Sequence, residues 1–174
     1  MKISNSTITD TGGDGIRFLD NNSNVTIENA MVVNTGLSGI GFNLNGIRFG
    51  SGNSNVTIAN TTVTNAARDG IHFEENNTGV TISGTTITDV LNGVLFFQGN
   101  DNVTINSSTI TNTATEGIEF GALNSNVTIA NTTIANAGGA GIVFELFNSN
   151  VTIANWRSPM QAALAFSSST TTAT

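Results

Sequence analysis

Residues 55–65 read NVTIANTTVTN and residues 69–73 read DGIHF, and this phrase decides the fold. Its Val-Thr-Ile step returns six times, at intervals of 31, 24, 23, 24 and 24 residues: Val25, Val56, Val80, Val103, Val127 and Val151. A nearly constant period of this length is typical of one supersecondary unit stacked on copies of itself. The sequence therefore predicts a solenoid.

Within one unit, apolar and polar side chains alternate in three short runs. Val56 and Ile58 point to one side of the first run. Only Val63 can face a core in the second run, and Ile71 and Phe73 do so in the third. Polar connectors separate the runs, and the two-residue loops of regular hairpins are missing. Three strands in each coil of about 24 residues predict an all-β parallel β-helix.

The repeated phrases NVTIxNTTITN and DGIxF resemble the coil repeat of right-handed parallel β-helix proteins, the broad pectate-lyase-like group. The resemblance covers residues 2–154. It implies a single-stranded right-handed parallel β-helix of about six to seven coils. Enzymes, adhesins and phage proteins all use this fold, so the resemblance predicts an architecture and not an activity.

Stacking aligns equivalent residues of successive coils in columns. One predicted core column contains Ile8, Val32, Val63, Ile87, Ile110 and Ile134. A second contains Phe18, Phe42, Phe73, Phe96, Phe120 and Phe144. Ten phenylalanines without a tyrosine favour rings stacked in a dry interior. A polar column after the second strand is expected to form an internal ladder that keeps the coils in register: Asp10, Asn34, Asn65, Asp89, Asn112 and Asn136.

The repeat is irregular in its second unit and at its start. GIGF at 39–42 is followed by GIRF at 46–49, so one copy of the third strand must leave the coil, and the pattern leaves open which. Residues 1–3 already occupy a first-strand position, and no N-terminal cap precedes them. An open coil end exposes unpaired backbone groups, so we expect end-to-end self-association there.

The repeats are assigned to residues 1–155, in coils of 31, 23 and 24 residues, and residues 156–174 to a non-repeat cap and Ser/Thr tail. Pro159 is incompatible with a central strand, and residues 160–166 have helix propensity. We therefore expect a short irregular or helical C-terminal cap that begins at Trp156. The low-complexity tail, residues 167–174, is expected to be disordered.

Composition restricts the partners. Only 10% of the residues are charged, the net charge is −7, and five Lys and Arg residues form no basic stripe. Nucleic acid is therefore not expected as a partner, and no apolar run is long enough to predict a membrane span. The absence of cysteine excludes disulfides and thiolate metal sites, and we expect neither a metal nor a cofactor. No leader is visible, and we expect an extracellular or cell-surface location.

Candidate catalytic residues lie on the outward side of the third strand. The resemblance implies that a catalytic member would act on glycans as a lyase, hydrolase or epimerase, with a base beside a uronate or with paired carboxylates. The cluster that fits best contains Asp69, His72, Glu74 and Glu75, with Arg48 one coil below. A second cluster contains Glu116 and Glu119. Because neither acids nor bases persist across three adjacent coils, we predict no catalytic residue and expect His72 to be a solvated surface histidine.

Outward threonine pairs on the second strand suggest a different ligand. They are Thr7 with Thr9, Thr62 with Thr64, Thr86 with Thr88, and Thr109 with Thr111. Members of a pair should lie about 7 Å apart and successive coils about 4.8 Å apart. This lattice resembles the Thr-x-Thr faces of β-helical antifreeze proteins and implies ice binding. Threonine is also a favoured outward residue in any strand.

Nearly identical repeats, few charges and no persistent polar groove favour a non-catalytic function. We interpret the chain as a structural or adhesive β-solenoid segment of a microbial surface or secreted protein. One alternative is a glycan-active enzyme or glycan-binding module that uses the outward side of the third strand. The other alternative is an ice-binding protein that uses the threonine pairs.

Overall fold

The computed structural model describes residues 1–36 and 44–158 in full, and the backbone of residues 164–166 and 170–173. The described chain forms 21 strands that wind into a parallel β-solenoid. Each strand pairs in parallel with the equivalent strand of the neighbouring coil, which produces three sheets along the axis. The predicted all-β architecture of about six coils is confirmed.

The first six coils each contribute one strand to each sheet. The first sheet contains β1 (Lys2–Ser4), β4 (Ser23–Glu28), β7 (Ser54–Ala59), β10 (Thr78–Ser83), β13 (Asp101–Asn106), β16 (Ser125–Ala130), β19 (Ser149–Ala154) and β21 (Thr170–Ala173). The second contains β2 (Thr7–Thr11), β5 (Met31–Thr35), β8 (Thr62–Ala66), β11 (Thr86–Val90), β14 (Thr109–Thr113) and β17 (Thr133–Ala137). The third contains β3 (Ile16–Phe18), β6 (Ile47–Phe49), β9 (Ile71–Glu75), β12 (Val94–Gln98), β15 (Ile118–Ala122), β18 (Ile142–Phe144) and β20 (Leu164–Phe166).

The core consists of stacked columns of identical or similar side chains. The column predicted from Ile8 to Ile134 is confirmed, and its members are fully buried from Val32 onward. Phenylalanine rings of successive coils stack with centroids 4.7 to 4.9 Å apart and nearly parallel planes: Phe18, Phe49, Phe73, Phe96, Phe120 and Phe144. In the first coil Ile8 stays partly exposed, and the expected end-to-end self-association stays a prediction.

The second unit uses the second copy of its third strand, so the predicted phenylalanine column was wrong at one position. Phe49 stacks between Phe18 and Phe73, and Phe42 lies outside the described residues. Asn45, the residue before Gly46 of the second copy, bonds to both neighbouring coils. Its amide nitrogen donates to Asp14 Oδ1 at 3.0 Å, and its Oδ1 accepts from the backbone N of Asp69 at 3.3 Å.

Asparagine side chains form two ladders, and the sequence predicted the position of one incorrectly. The predicted ladder exists, as in the 2.8 Å bond from Asn65 Nδ2 to Asn34 Oδ1, but most of its members are exposed and it lies outside the core. Its residues adopt positive φ, as expected for Asn and Asp in tight turns. The internal ladder is a different column, which is buried from its second member: Asn22, Asn53, Asn77, Asn100, Asn124 and Asn148.

Beyond β19 the described backbone is extended. Residues 164–166 pair with β18 and residues 170–173 pair with β19, so the helical form of the expected cap is wrong at 164–166 and the expected disorder is wrong at 170–173. The remaining residues of the expected cap and tail, 159–163, 167–169 and 174, lie outside the described residues. Parallel pairing there satisfies the open edges of the last full coil, which a short helix would leave free. Trp156 packs against the end of the core, as expected for a cap. The described residues include no helix that is long and apolar enough to cross a membrane.

Candidate functional site

His72 is the centre of a polar cluster on the outer surface of the third sheet. It points outward from β9 but is only 4% exposed, because Arg48 of β6 and Leu95 of β12 flank it in register. Its Nδ1 lies 2.7 Å from Asp69 Oδ2. The expectation of a solvated surface histidine was therefore wrong, since neighbouring coils contribute side chains that cover it.

Asp69 is fully buried in the turn before β9. Its Oδ2 also lies 3.6 Å from Arg68 Nε, whereas its Oδ1 has no hydrogen-bond partner in the described part of the chain. An ionised carboxylate only accepts, so the tautomer of His72 with hydrogen on Nδ1 would donate in this short contact. The other ring nitrogen, Nε2, then faces Glu74 Oε1 at 3.5 Å.

Arg48 completes the cluster from the coil below. Its Nη2 and Nε donate to Glu74 Oε1 at 2.6 and 3.1 Å. Glu75 does not take part in the cluster. Its side chain has no hydrogen-bond or ion-pair partner among the described residues, and its carbonyl oxygen accepts a hydrogen bond from the backbone N of Gly52. The structure thus brings together four of the five predicted side chains in a continuous series of contacts.

A recess of about 200 Å³ opens above the cluster, lined by Arg48, Arg68, His72, Glu74, Leu95 and Phe97. Phe97 is 47% exposed and presents an aromatic ring at its rim. The sequence analysis missed Phe97 and Arg68. The doublet Phe96-Phe97 carried the signal, because two successive strand residues point to opposite sides and only one can enter the core column.

Acidic side chains adjoin the recess on its other side. Glu119 lies on β15, in register with Leu95 below and Val143 above. Burial, and next the charges of Glu145, Glu116 and Asp69, raise the pKa of Glu119 to about 7, although Arg68 opposes the shift. In residues 1–36 and 44–158 no three His, Asp or Glu side chains gather as ligands for a metal ion.

Three of the four threonine pairs lie side by side on the second sheet, and ice binding by them stays a prediction. Those of β8, β11 and β14 lie in register on three consecutive coils. Thr111 Oγ1 donates to Thr88 Oγ1 at 3.1 Å, so part of the array is bonded within itself. The pair Thr7 and Thr9 is separated from the others, because β5 places Met31 and Val33 between them.

Comparisons with solved structures agree with this architecture. An alginate lyase from Paenibacillus sp. str. FPU-7 superposes with a TM-score of 0.81 at 17% identity, over 98% of this chain and 65% of that one. The enzymatically active domain of bacteriophage CBA120 tailspike protein 2 gives 0.77 at 15% identity, over 96% of this chain and 27% of that one. The Streptococcus pneumoniae surface protein and adhesin PfbA gives 0.63 at 13% identity, over 95% and 64%.

These likenesses show the fold alone, and the chain spans less than two thirds of each of the three proteins. A search of curated protein sequences found no match. The sequence profile described as "Right handed beta helix region" matches residues 41–171, which is more than half of the chain. The chain therefore belongs to the right-handed β-helix family.

Proposed function

We propose that the chain is a non-catalytic, adhesive β-solenoid segment of an extracellular or cell-surface protein, and that it binds a glycan at the recess on the third sheet. One observation carries the proposal: the bonded cluster of Asp69, His72, Glu74 and Arg48 lies directly beside the exposed ring of Phe97.

The chemistry of this surface suits sugars. An exposed aromatic ring offers an apolar platform for the C–H face of a pyranose, and charged groups with fixed orientation bond its hydroxyls. Arg48 and His72 are held by carboxylates before any ligand arrives. Preorganised side chains lose little conformational entropy on binding, which favours recognition.

The pairing of basic with acidic side chains inside the cluster favours binding over catalysis. Arg48 contacts Glu74 and His72 contacts Asp69, so each basic side chain of the cluster already has a carboxylate partner within the protein. The printed names of the structural neighbours include a surface adhesin as well as a lyase and a tailspike, and both adhesive and glycan-active roles are compatible with the fold. The printed description of PfbA as a surface protein and adhesin supports the proposed extracellular or cell-surface location.

Binding to a panel of immobilised neutral glucans and polyuronates tests the proposal. We expect Phe97→Ala to weaken the affinity for the retained glycan about tenfold, since a stacked ring contributes roughly 1–2 kcal/mol. Met31→Ala is the matched control, because Met31 is similarly exposed but lies on the second sheet. Equal loss in both variants, or no retention of any glycan, contradicts the proposal.

The catalytic alternative requires a separate assay. Product release from polyuronates and glucans should be measured with and without calcium. We expect no turnover. Turnover that disappears in Asp69→Ala while the fold is retained would establish catalysis and overturn the non-catalytic assignment.

A further inference from the structure

The recess continues into a longer outward surface on the third sheet. One outward row passes through successive strands: Arg48, His72, Leu95 and Glu119. The neighbouring row passes from Glu74 to Phe97 one coil above. Phe97 and Glu119 lie on adjacent strands about 4.8 Å apart and are offset by two residues along the strand, so a sugar stacked on Phe97 extends toward the Glu119 side chain.

The charges along this surface are unequal. At the recess, Arg48 and Arg68 each lie close to a carboxylate, at 2.6 Å from Glu74 and 3.6 Å from Asp69. Beyond Phe97 carboxylates predominate, and after burial the charges of Glu145 and Glu116 raise the pKa of Glu119. A sugar carboxylate bound there would meet the same repulsion, whereas a hydroxyl would donate a hydrogen bond to these oxygens.

Glu119 is the member of this group whose charge changes near neutral pH. Its pKa is raised to about 7, first by burial and then by Glu145, Glu116 and Asp69, with Arg68 opposing. The in-register neighbours on the adjacent strands, Leu95 and Val143, are apolar and cannot compensate its charge. Above neutrality the carboxylate is ionised, and in mild acid it becomes a neutral hydrogen-bond donor.

We propose that this surface selects uncharged glycan chains over polyuronates at alkaline pH, that Glu119 sets the preference, and that acidification weakens it. This inference rests on the glycan-binding function proposed above. It names the ligand class of the same site and the residue that discriminates.

Calorimetric binding of a neutral glucan oligosaccharide and of an oligouronate of equal length tests the inference at pH 8.5 and pH 5.5. At pH 8.5 we expect the neutral ligand to bind about fivefold to tenfold more tightly, as one nearby like charge at intermediate dielectric implies. At pH 5.5 the ratio should fall severalfold. Glu119→Gln should give the low ratio at both pH values.

Glu75→Gln is the matched control. It removes the same charge one coil below the phenylalanine platform, at a position where Gln98 already follows in the next coil. We expect this variant to keep the pH-dependent preference of the unchanged protein. A Glu119→Gln variant that also keeps it overturns the assignment of Glu119.

The outcomes separate the two proposals. Equal or tighter binding of the oligouronate at pH 8.5 overturns the selectivity and leaves the glycan-binding function intact. Failure to bind either oligosaccharide at both pH values overturns the glycan-binding function and the selectivity together. A carbon-13 NMR titration of the Glu119 carboxyl gives an independent readout, and titration near its ordinary value of 4.5 contradicts the inferred change of charge.

Discussion

Replacing Asn100 by alanine should destabilise the solenoid more than any loss of a surface asparagine. Asn100 is fully buried in the internal ladder. Its Oδ1 accepts from both the backbone N and Nδ2 of Asn77, each at 3.0 Å. Its Nδ2 donates to Asn124 Oδ1 at 3.0 Å and to the carbonyl oxygen of Glu74 at 3.0 Å.

The magnitude follows from the groups left behind. Alanine leaves two buried donors of Asn77 without an acceptor, at about 1–3 kcal/mol each. Asn124 Oδ1 keeps one bond, because the backbone N of residue 100 still donates to it at 2.9 Å. A water molecule admitted by the vacated volume would recover part of the loss. We therefore expect Asn100→Ala to lower the free energy of unfolding by about 2–4 kcal/mol.

Urea denaturation followed by circular dichroism measures this loss. Asn102→Gly is the matched control, since Asn102 lies on β13 only two residues after Asn100, at φ 55°, and Gly79 occupies the equivalent position one coil below. Glycine adopts this backbone conformation freely, so the control should cost less than about 1 kcal/mol. If Asn100→Ala costs no more than Asn102→Gly, the internal ladder does not stabilise the coils and the reasoning is refuted.

Three further predictions concern other columns. Glu119→Gln should stabilise the protein at pH 8.5 and have little effect at pH 4, because a raised pKa gives stability that is complete below 4.5 and is lost as the pH rises through about 7. The full pKa shift corresponds to about 3.4 kcal/mol, and solvent screening of this half-buried group reduces the expected stabilisation to about 1–2 kcal/mol. Urea titrations that show the same effect of the substitution at both pH values would contradict this prediction. Phe96→Ala should cost about 3–5 kcal/mol, since it removes a ring stacked at 4.9 Å on both sides, and a loss below 1 kcal/mol would contradict the stack. The ice-binding hypothesis predicts thermal hysteresis that bulky replacements of Thr86 and Thr109 abolish without unfolding, and its absence from the unchanged protein disposes of that hypothesis.

The columns of the core were predictable because their chemistry repeats. Alternation and a fixed period place Val63 and Ile87 inward, since a polar residue at either position would be buried without a partner. The same logic could not choose between Phe42 and Phe49, because both copies of the third strand carry the glycine and apolar pattern of a strand. The structure shows the second copy in the coil, where the Asn45 side chain bonds to two neighbouring coils, a contact that spacing in the sequence does not reveal.

The site was predictable only in part, since its environment comes from different coils. Spacing identified Asp69 and His72 as outward-side neighbours three residues apart. It did not predict that His72 is buried, because the covering side chains, Arg48 and Leu95, are 24 and 23 residues away in sequence. Nor could spacing predict the raised pKa of Glu119, which depends first on burial and then on charges contributed by several coils.

Variation among coils of one chain separates what the fold requires from what it permits. The inward position of the third strand is phenylalanine in every full coil described, because each ring must stack on the next. The outward residue just before this phenylalanine changes its chemical type in most coils: Arg17, Arg48, His72, Leu95, Glu119 and Val143. Stacking imposes no common residue there, and the in-register threonines of the second sheet show that an outward column can repeat. The least repetitive column is therefore the one free to carry specificity, and the recess, Phe97 and Glu119 all lie on its surface.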